Sequence, residues 1–298
     1  MQPSKIAAAF PGQGIQRVGM AGAIAPTSAW TFFEQASELI GYDLGQLCLE
    51  GPQETLDNTA QTQIAVFVTC WSLWELQKER FRPQIFLGHS LGEIVALGAA
   101  GAFSFQEGVR LVQARGQAMS QVKTGGMTAI LGLDGQTVET LCAEVASTGL
   151  VQVANWNSPF QTVVSGEFRA LEAVGTLSKE RGAKRVVQLN VSGPFHSRLM
   201  EPAAQAFAEV VQDLELRVCH TPVLSNDGQS MLQDPGDIRR SLVRQITGPV
   251  RFTDQLHTLV RMGVTEFVEL SPESLLIPLA RRSQPNLQFT LVSDGGMV

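Results

Sequence analysis

The sequence is poor in cysteine and carries no cysteine motif. Its 298 residues include four cysteines, which lie far apart and form no CxxC pair: Cys48, Cys70, Cys142 and Cys219. Disulfide scaffolds and structural zinc sites both require closely spaced cysteines. We therefore expect neither a disulfide framework nor a metal site.

An excess of positive charge and long apolar runs are also missing. The formal net charge is −6 and the isoelectric point is near 5.3, whereas nucleic-acid-binding domains carry a basic surface. The first apolar run ends at Pro11, too early for a signal peptide, and no segment reaches the ~18 apolar residues of a membrane span. These absences predict a soluble, cytoplasmic protein that binds neither nucleic acid nor membrane.

Strand and helix patterns alternate along both ends of the chain. Short apolar runs predict buried strands at 6–10, 83–87, 223–225 and 265–270. Apolar periodicity predicts helices at 29–40, 61–80, 90–102, 105–122, 201–214 and 235–245, with a final helix after residue 274. Alternating strands and helices indicate an α/β fold with a parallel sheet.

The middle of the chain follows a different order. Strands are predicted at 127–133, 151–154, 162–165 and 184–189, with helices at 137–147 and 168–181. The order βαββαβ is that of a ferredoxin-like unit. We therefore predict a large α/β domain from residues 1–124 and 191–298, and an inserted small subdomain from residues 125–190, with a cleft between them.

A candidate nucleophile lies between a predicted strand and a predicted helix. Gly88-His89-Ser90-Leu91-Gly92 fits the pattern G-x-S-x-G, in which a sharp turn exposes the serine hydroxyl group. The N–H group of Leu91, at the start of the helix, would point to a developing oxyanion. The alternative is that Ser90 acts as an ordinary helix cap.

A serine nucleophile needs a base, and the chain has only four histidines. His89 adjoins Ser90 on a tight turn, where neighbouring side chains diverge, so we expect it to pack and shape the site. His220 is predicted in a polar turn and His257 on an exposed helix. Elimination favours His196, which lies in a rigid loop directly after the predicted insert.

Five motifs occur together along residues 6–282. They are Phe10-Pro11-Gly12-Gln13-Gly14, Gly88-His89-Ser90-Leu91-Gly92-Glu93, Arg115-Gly116-Gln117-Ala118-Met119, Pro194-Phe195-His196-Ser197, and Gln245 with Pro249-Val250. In content, order and spacing the chain resembles malonyl-CoA:acyl carrier protein transacylases and the acyltransferase domains of polyketide synthases. The resemblance implies an α/β-hydrolase-like large domain with a ferredoxin-like insert, in agreement with the patterns above.

The resemblance also implies a catalytic dyad. Ser90 would accept the acyl group, His196 would act as general base and acid, and a backbone carbonyl at Gln245 would orient the histidine. The backbone N–H groups of Gln13 and Leu91 would hold the oxyanion. No acidic residue is expected to complete a triad.

The resemblance further implies the substrate-binding residues. Arg115 would bind the free carboxylate of a malonyl group by a bidentate pair, which lysine cannot reproduce. Taken alone, an arginine on a helix is more often a surface charge, and only the motif favours this role. His89, Asn155 and Asn157 are also placed near the substrate.

Two positions bear on the choice of substrate. Methylmalonyl-selective relatives often carry Gln in place of Leu91 and Ser in place of Phe195, so Phe195 should crowd an α-branch and favour malonyl. Rejection of one methyl group is worth only ~1–3 kcal/mol. The chain departs from the family at Gly193-Pro194, where Gly-Ala is commoner, and at Ser271-Pro272-Glu273-Ser274, where many relatives have Gly-Pro-Gly-Lys or a similar sequence. The second departure bears on contact with the coenzyme A or carrier arm.

The implied reaction is ping-pong transfer of malonyl from malonyl-CoA, through an acyl-enzyme at Ser90, to the phosphopantetheine thiol of an acyl carrier protein. It needs no metal or cofactor. A chain that begins at Met1 and ends soon after the last motif predicts action in trans, in fatty-acid or polyketide synthesis, and we expect a monomer.

Two alternatives remain open. The first is an editing acyl hydrolase of the same fold, which would clear carrier proteins by passing the acyl group to water; Arg115 favours transfer instead. The second is a non-catalytic synthase scaffold, against which the combination of Ser90, His196 and Arg115 argues.

Overall fold

The computed structural model describes residues 4–80 and 82–293. Within these residues the strands are β1 (Ile6–Phe10), β2 (Ile85–Gly88), β3 (Gly126–Leu131), β4 (Val151–Ser158), β5 (Gln161–Gly166), β6 (Arg185–Gln188), β7 (Val223–Leu224), β8 (Met231–Leu232), β9 (Glu266–Leu270) and β10 (Gln288–Val292). The α-helices are α1 (Thr31–Ile40), α2 (Leu44–Glu50), α3 (Gln53–Leu56), α4 (Thr59–Gln77), α5 (Leu91–Ala99), α6 (Phe105–Ser120), α7 (Gly135–Glu144), α8 (Phe168–Glu180), α9 (Glu201–Gln212), α10 (Pro235–Arg244), α11 (Phe252–Arg261) and α12 (Leu276–Ser283). Short 3-10 helices cover Ser28–Trp30, Ala146–Thr148 and Arg198–Met200.

Six strands form the larger sheet, in the order β10-β9-β1-β2-β7-β8. Every neighbouring pair from β10 to β7 runs parallel, and the short edge strand β8 runs antiparallel to β7. Central strands β1 and β2 are almost entirely buried, as parallel strands covered by helices on both faces are. The predicted α/β class with a parallel sheet is confirmed.

Alternate residues of β1 face two separate cores. Ala8 and Phe10 belong to the larger core, which includes buried side chains of α4, α5, α6 and α9. Ala7 and Ala9 belong to the core formed with α11 and α12. This two-residue alternation is the natural period of a strand, and it places helices on both faces of the sheet.

The smaller sheet lies between Gly126 and Gln188. Its strand order is β4-β5-β3-β6 and all its pairings are antiparallel. Helices α7 and α8 pack with it around buried side chains such as Ile130, Val138 and Val174. With the element order βαββαβ, this topology confirms the predicted ferredoxin-like fold.

Close backbone contacts join the smaller sheet and the loop before His196 to segments of the larger domain. Val250 N–H donates to Ala154 O (2.8 Å) and Trp156 N–H donates to Val250 O (2.9 Å), which ties β4 to the segment before α11. Gly193 passes so close to the end of α6 that an added Cβ would lie 2.3 Å from Val122 O. The first two contacts hold the segment before α11 against the smaller sheet, and the third packs the loop that leads to His196 against the residues that follow α6.

The sequence patterns do not predict α2, α3, β8 or β10, and they misplace some helix ends. Helices α2 and α3 and strand β8 have seven, four and two residues, fewer than are needed to recognise a repeated apolar period. The helix predicted over 90–102 ends at Ala99, and Gly101 follows with a φ of +86°. No helix among residues 4–80 and 82–293 is long and apolar enough to cross a membrane.

Candidate active site

Ser90 lies on a strained turn between β2 and α5. Its φ is +52° and its ψ is −111°, a conformation that residues other than glycine rarely adopt. A Cβ added at Gly88 would lie 1.9 Å from the carbonyl carbon of Gly92, and one added at Gly92 would lie 1.9 Å from Phe10 O. Close backbone packing therefore requires both glycines of the G-x-S-x-G motif.

The Ser90 hydroxyl group contacts the imidazole of His196. Ser90 Oγ lies 2.7 Å from His196 Nε2, while Nδ1 lies 2.9 Å from Gln245 O and 3.0 Å from Gly248 O. Because carbonyl oxygens only accept, Nδ1 carries the proton and Nε2 accepts from the Ser90 hydroxyl. Ser90 makes no side-chain capping bond to α5, so its proton faces the histidine and the helix-cap alternative is wrong.

The His196 side chain is buried, and the backbone of this residue has an unusual conformation. Burial lowers its pKa to about 3, and the nearby positive charge of Arg115 acts in the same direction. The imidazole is therefore neutral near pH 7 and able to accept a proton. In the part of the chain that the structure describes, Ser90 and His196 (φ +58°) are the two non-glycine residues with positive φ.

Arg115 places a buried positive charge beside the nucleophile. The residue lies on α6 and is 1% exposed. Its Nη2 donates to Ser90 Oγ (3.1 Å) and to Gln245 Oε1 (3.0 Å), and its Nη1 donates to Gln63 Oε1 (2.8 Å). Burial lowers the pKa of Arg115 to about 10, which leaves the guanidinium charged at neutral pH.

The Arg115 guanidinium makes no ion pair with any carboxylate of residues 4–80 or 82–293. Its Nε likewise has no hydrogen-bond partner among them. A buried cation whose direct partners are all neutral is energetically costly, because its desolvation is offset only by the charge of Glu93, which forms no ion pair with it. The site can therefore stabilise a bound anion next to Ser90.

Two residues that the sequence analysis missed support this arrangement. Glu93, on α5, is fully buried, and its carboxylate accepts hydrogen bonds from Asn226 N (2.6 Å), Asn226 Nδ2 (2.7 Å), Ser241 Oγ (3.1 Å) and Gln245 Nε2 (3.1 Å). Asn226 Oδ1 in turn accepts from Ser90 N–H at 3.0 Å. A lone carboxylate within the apolar segment 91–100 is a signal that could have indicated Glu93; Asn226 carries no comparable local signal.

The two backbone amides expected to hold an oxyanion lie free near the turn. In the described part of the chain, neither Gln13 N–H nor Leu91 N–H has an acceptor. Gly12 brings the loop of Gln13 against the nucleophile, since an added Cβ there would lie 2.6 Å from His89 O. The Ser90 N–H is occupied by Asn226, so Leu91 is the free amide at the start of α5.

The remaining predicted substrate residues have different surroundings. His89 Nε2 lies 2.9 Å from Asn157 Oδ1, and the ring packs edge-on against Phe252; burial lowers the pKa of His89. Asn155 is buried on β4, and its side chain has no hydrogen bond to a residue that the structure describes. Phe195 is 5% exposed and packs in the larger core.

The other two histidines lie away from the nucleophile. His220 is exposed, with Nδ1 3.1 Å from the Thr221 hydroxyl group, and His257 is exposed on α11. At residues 271–274, where the sequence differs from the family pattern, Glu273 forms an exposed ion pair with Arg17 (2.8 Å).

Comparisons with known proteins cover almost the whole chain. The acyl transferase domain family matches residues 9–287. The malonyl CoA-acyl carrier protein transacylase of Bacillus subtilis is 39% identical over 298 residues, covering 98% of this chain and 94% of the relative. The acyl-carrier-protein S-malonyltransferase of Burkholderia pseudomallei superposes with a TM-score of 0.95 at 39% identity, covering 97% and 96% of the two chains.

A second solved structure contains a partner. It is a malonyl-transacylase in complex with a type II polyketide synthase acyl-carrier protein, with a TM-score of 0.94, 38% identity and coverage of 98% of this chain and 96% of that chain. Together, the matches in sequence and in structure extend through every motif from Phe10 to Val250. The chain belongs to the malonyl-CoA:acyl carrier protein transacylase family of acyl transferase domains.

Proposed function

We propose that this protein transfers a malonyl group from malonyl-CoA, through an ester of Ser90, to the phosphopantetheine thiol of an acyl carrier protein. The observation that carries the proposal is the buried guanidinium of Arg115, which lies 3.1 Å from Ser90 Oγ and pairs with no carboxylate of the described chain. A malonyl group brings the carboxylate that this cation lacks. Relatives named malonyl CoA-acyl carrier protein transacylase, 38–39% identical over nearly the full chain, support the same reaction.

In the first half-reaction, Ser90 Oγ attacks the thioester carbonyl carbon and its proton passes to His196 Nε2. The carbonyl oxygens of Gln245 and Gly248 stabilise the resulting imidazolium through Nδ1–H. The tetrahedral intermediate then collapses, the C–S bond breaks, and the coenzyme A sulfur takes the proton from His196. Two carbonyl acceptors thus do the work that a carboxylate performs in a catalytic triad.

Backbone amides and Arg115 divide the negative charges between them. Gln13 N–H and Leu91 N–H hold the oxyanion that forms on the thioester oxygen, where preorganised donors are worth several kcal/mol. Arg115 binds the malonyl carboxylate at a fixed distance from Ser90. His89, Asn155 and Asn157 line the acyl site, and Phe195 disfavours a branch at the α-carbon.

The second half-reaction reverses the first with a different thiol. The phosphopantetheine sulfur gives its proton to His196 and attacks the Ser90 ester, and Ser90 Oγ leaves and regains the proton. In this proposal residues 1–124 and 191–298 supply the dyad and residues 125–190 form the small subdomain that closes one side of the cleft. The enzyme acts in the cytoplasm, as a monomer, on a separate carrier protein.

Mass spectrometry of a carrier protein tests the proposal. The protein is incubated with malonyl-CoA and a carrier that bears its phosphopantetheine arm, and the carrier is expected to gain the mass of one malonyl group. The Ser90→Ala variant is expected to load none. Free malonate with an unloaded carrier would refute transfer and support the acyl hydrolase.

A further inference from the structure

The buried carboxylate of Glu93 makes no hydrogen bond to Ser90 or His196, yet it binds side chains that hold Ser90 and Arg115. Its Oε2 accepts from Asn226 N and Nδ2, and its Oε1 accepts from Ser241 Oγ and Gln245 Nε2. Three of these four donors are N–H groups, which can only donate. They match an ionised carboxylate, which can only accept.

This set of bonds fixes the orientation of two amide side chains. Because the NH2 groups of Asn226 and Gln245 both face Glu93, their carbonyl oxygens must face the other way. Asn226 Oδ1 accepts from Ser90 N–H (3.0 Å) and Gln245 Oε1 accepts from Arg115 Nη2 (3.0 Å). The first bond holds the strained backbone of the nucleophile, and the second holds the guanidinium.

We propose that Glu93 is a positioning residue that aims Arg115 at the malonyl carboxylate through Gln245 and fixes the Ser90 turn through Asn226. The inference rests on the proposed function and names the origin of its acyl selectivity. Glu93 also supplies a negative charge near Arg115 without a direct ion pair. A direct pair would neutralise the guanidinium, whereas an intervening glutamine positions it by one hydrogen bond to Nη2 and leaves it without a carboxylate partner among the described residues.

Replacement of Glu93 by glutamine tests the Arg115 branch. A glutamine side chain has one acceptor oxygen and one NH2 group in place of two acceptor oxygens, so it cannot accept all four bonds, and the amide of Gln245 is free to rotate. A rotated Gln245 presents NH2 to the guanidinium, and two donors then face one another. We expect Glu93→Gln to lower kcat/KM for malonyl-CoA on the order of tenfold more than kcat/KM for acetyl-CoA, since hydrogen bonds to charged groups are the strong ones.

A second variant separates the two branches and remains informative if Glu93→Gln folds poorly. Gln245→Met removes the side-chain link to Arg115 but keeps the backbone carbonyl that orients His196. We expect it to reproduce the loss specific to malonyl. In the double variant Glu93→Gln/Gln245→Met, the change in the malonyl-to-acetyl ratio should equal that of either single variant, because both remove the same link.

Glu269 provides a matched control. It is also a fully buried carboxylate, but it accepts the backbone N–H groups of Leu275, Leu276 and Ile277 at the start of α12. Glu269→Gln should lower the melting temperature and leave the malonyl-to-acetyl ratio unchanged. An unchanged ratio in Glu93→Gln, or additive effects in the double variant, would overturn the proposal even when the wild-type enzyme transfers malonyl. A wild-type enzyme that transfers no malonyl would instead refute the proposed function.

Discussion

Replacement of Arg115 by methionine removes the positive charge at Ser90 while retaining most of the side-chain volume in a fully buried position. The loss for malonyl transfer can be worked out from the site. A charge-assisted pair in a desolvated pocket is worth about 2–5 kcal/mol, so a central value of about 3 kcal/mol corresponds to a roughly 100- to 200-fold fall in kcat/KM. We expect the fall for malonyl-CoA to be of this size.

Acetyl transfer should respond differently to the same change. An acetyl group has no carboxylate, so it loses no ion pair when Arg115 is removed. The Arg115 charge also lowers the pKa of His196, and its removal makes the imidazole a stronger base. We therefore expect kcat/KM for acetyl-CoA to stay the same or to rise in Arg115→Met.

The assay measures carrier loading from each acyl-CoA for the wild type, Arg115→Met and Arg110→Met. Arg110 lies on the same helix and is exposed, so its replacement changes the charge of α6 without touching the site. Arg110→Met should leave the malonyl-to-acetyl ratio unchanged. Equal losses for malonyl and acetyl in Arg115→Met would refute the assigned role of Arg115.

Three further changes test the site. The pKa of His196 is about 3 in the folded state and about 6.5 in the unfolded chain, so acidification protonates the unfolded form first and stability falls below pH 6.5. Between pH 7 and pH 5, we expect the free energy of unfolding, measured with urea, to fall by about 2 kcal/mol less in His196→Gln than in the wild type. Identical pH profiles of the two proteins would count against a buried neutral imidazole. Ser90→Gly should melt about 2–4 °C above Ser90→Ala in calorimetry because glycine relieves the positive φ; a melting temperature no higher than that of Ser90→Ala would mean that the turn stores no strain. Phe195→Leu should raise methylmalonyl loading relative to malonyl by up to roughly 10- to 200-fold, and an unchanged ratio in carrier-loading assays would remove Phe195 from substrate selection.

The elements that the sequence predicts best are those whose pattern reflects burial. Strand β1 is apolar throughout, and helix α4 contains the apolar run Ile64 to Val68, because both elements lie between other layers; such runs are visible without a structure. The glycines of the nucleophile turn can also be recognised in the sequence, because two glycines around a serine indicate close backbone packing. The short edge strand β8 has two residues and only exists because β7 lies beside it, so no local pattern predicts it.

The site shows the same division between local and distant information. Ser90, His196 and Arg115 could be named from motifs, and the geometry brings all three together. Glu93 was named only as the last residue of the nucleophile motif, with no role, whereas its carboxylate accepts hydrogen bonds from Asn226 and Gln245. These partners lie 133 and 152 residues away in the chain, and no local pattern reveals a hydrogen bond across such a separation.

The sequence by itself determined the fold class and the chemical types of the reacting groups, because apolar period, glycine spacing and side-chain chemistry are properties of short segments. Only the tertiary structure decided that Nδ1 of His196 faces two carbonyl oxygens. It also decided that Arg115 forms no ion pair with a carboxylate of residues 4–80 or 82–293. Proton position and uncompensated charge depend on which groups from distant segments meet in a buried space. The packing of the whole chain determines which of these distant groups come into contact.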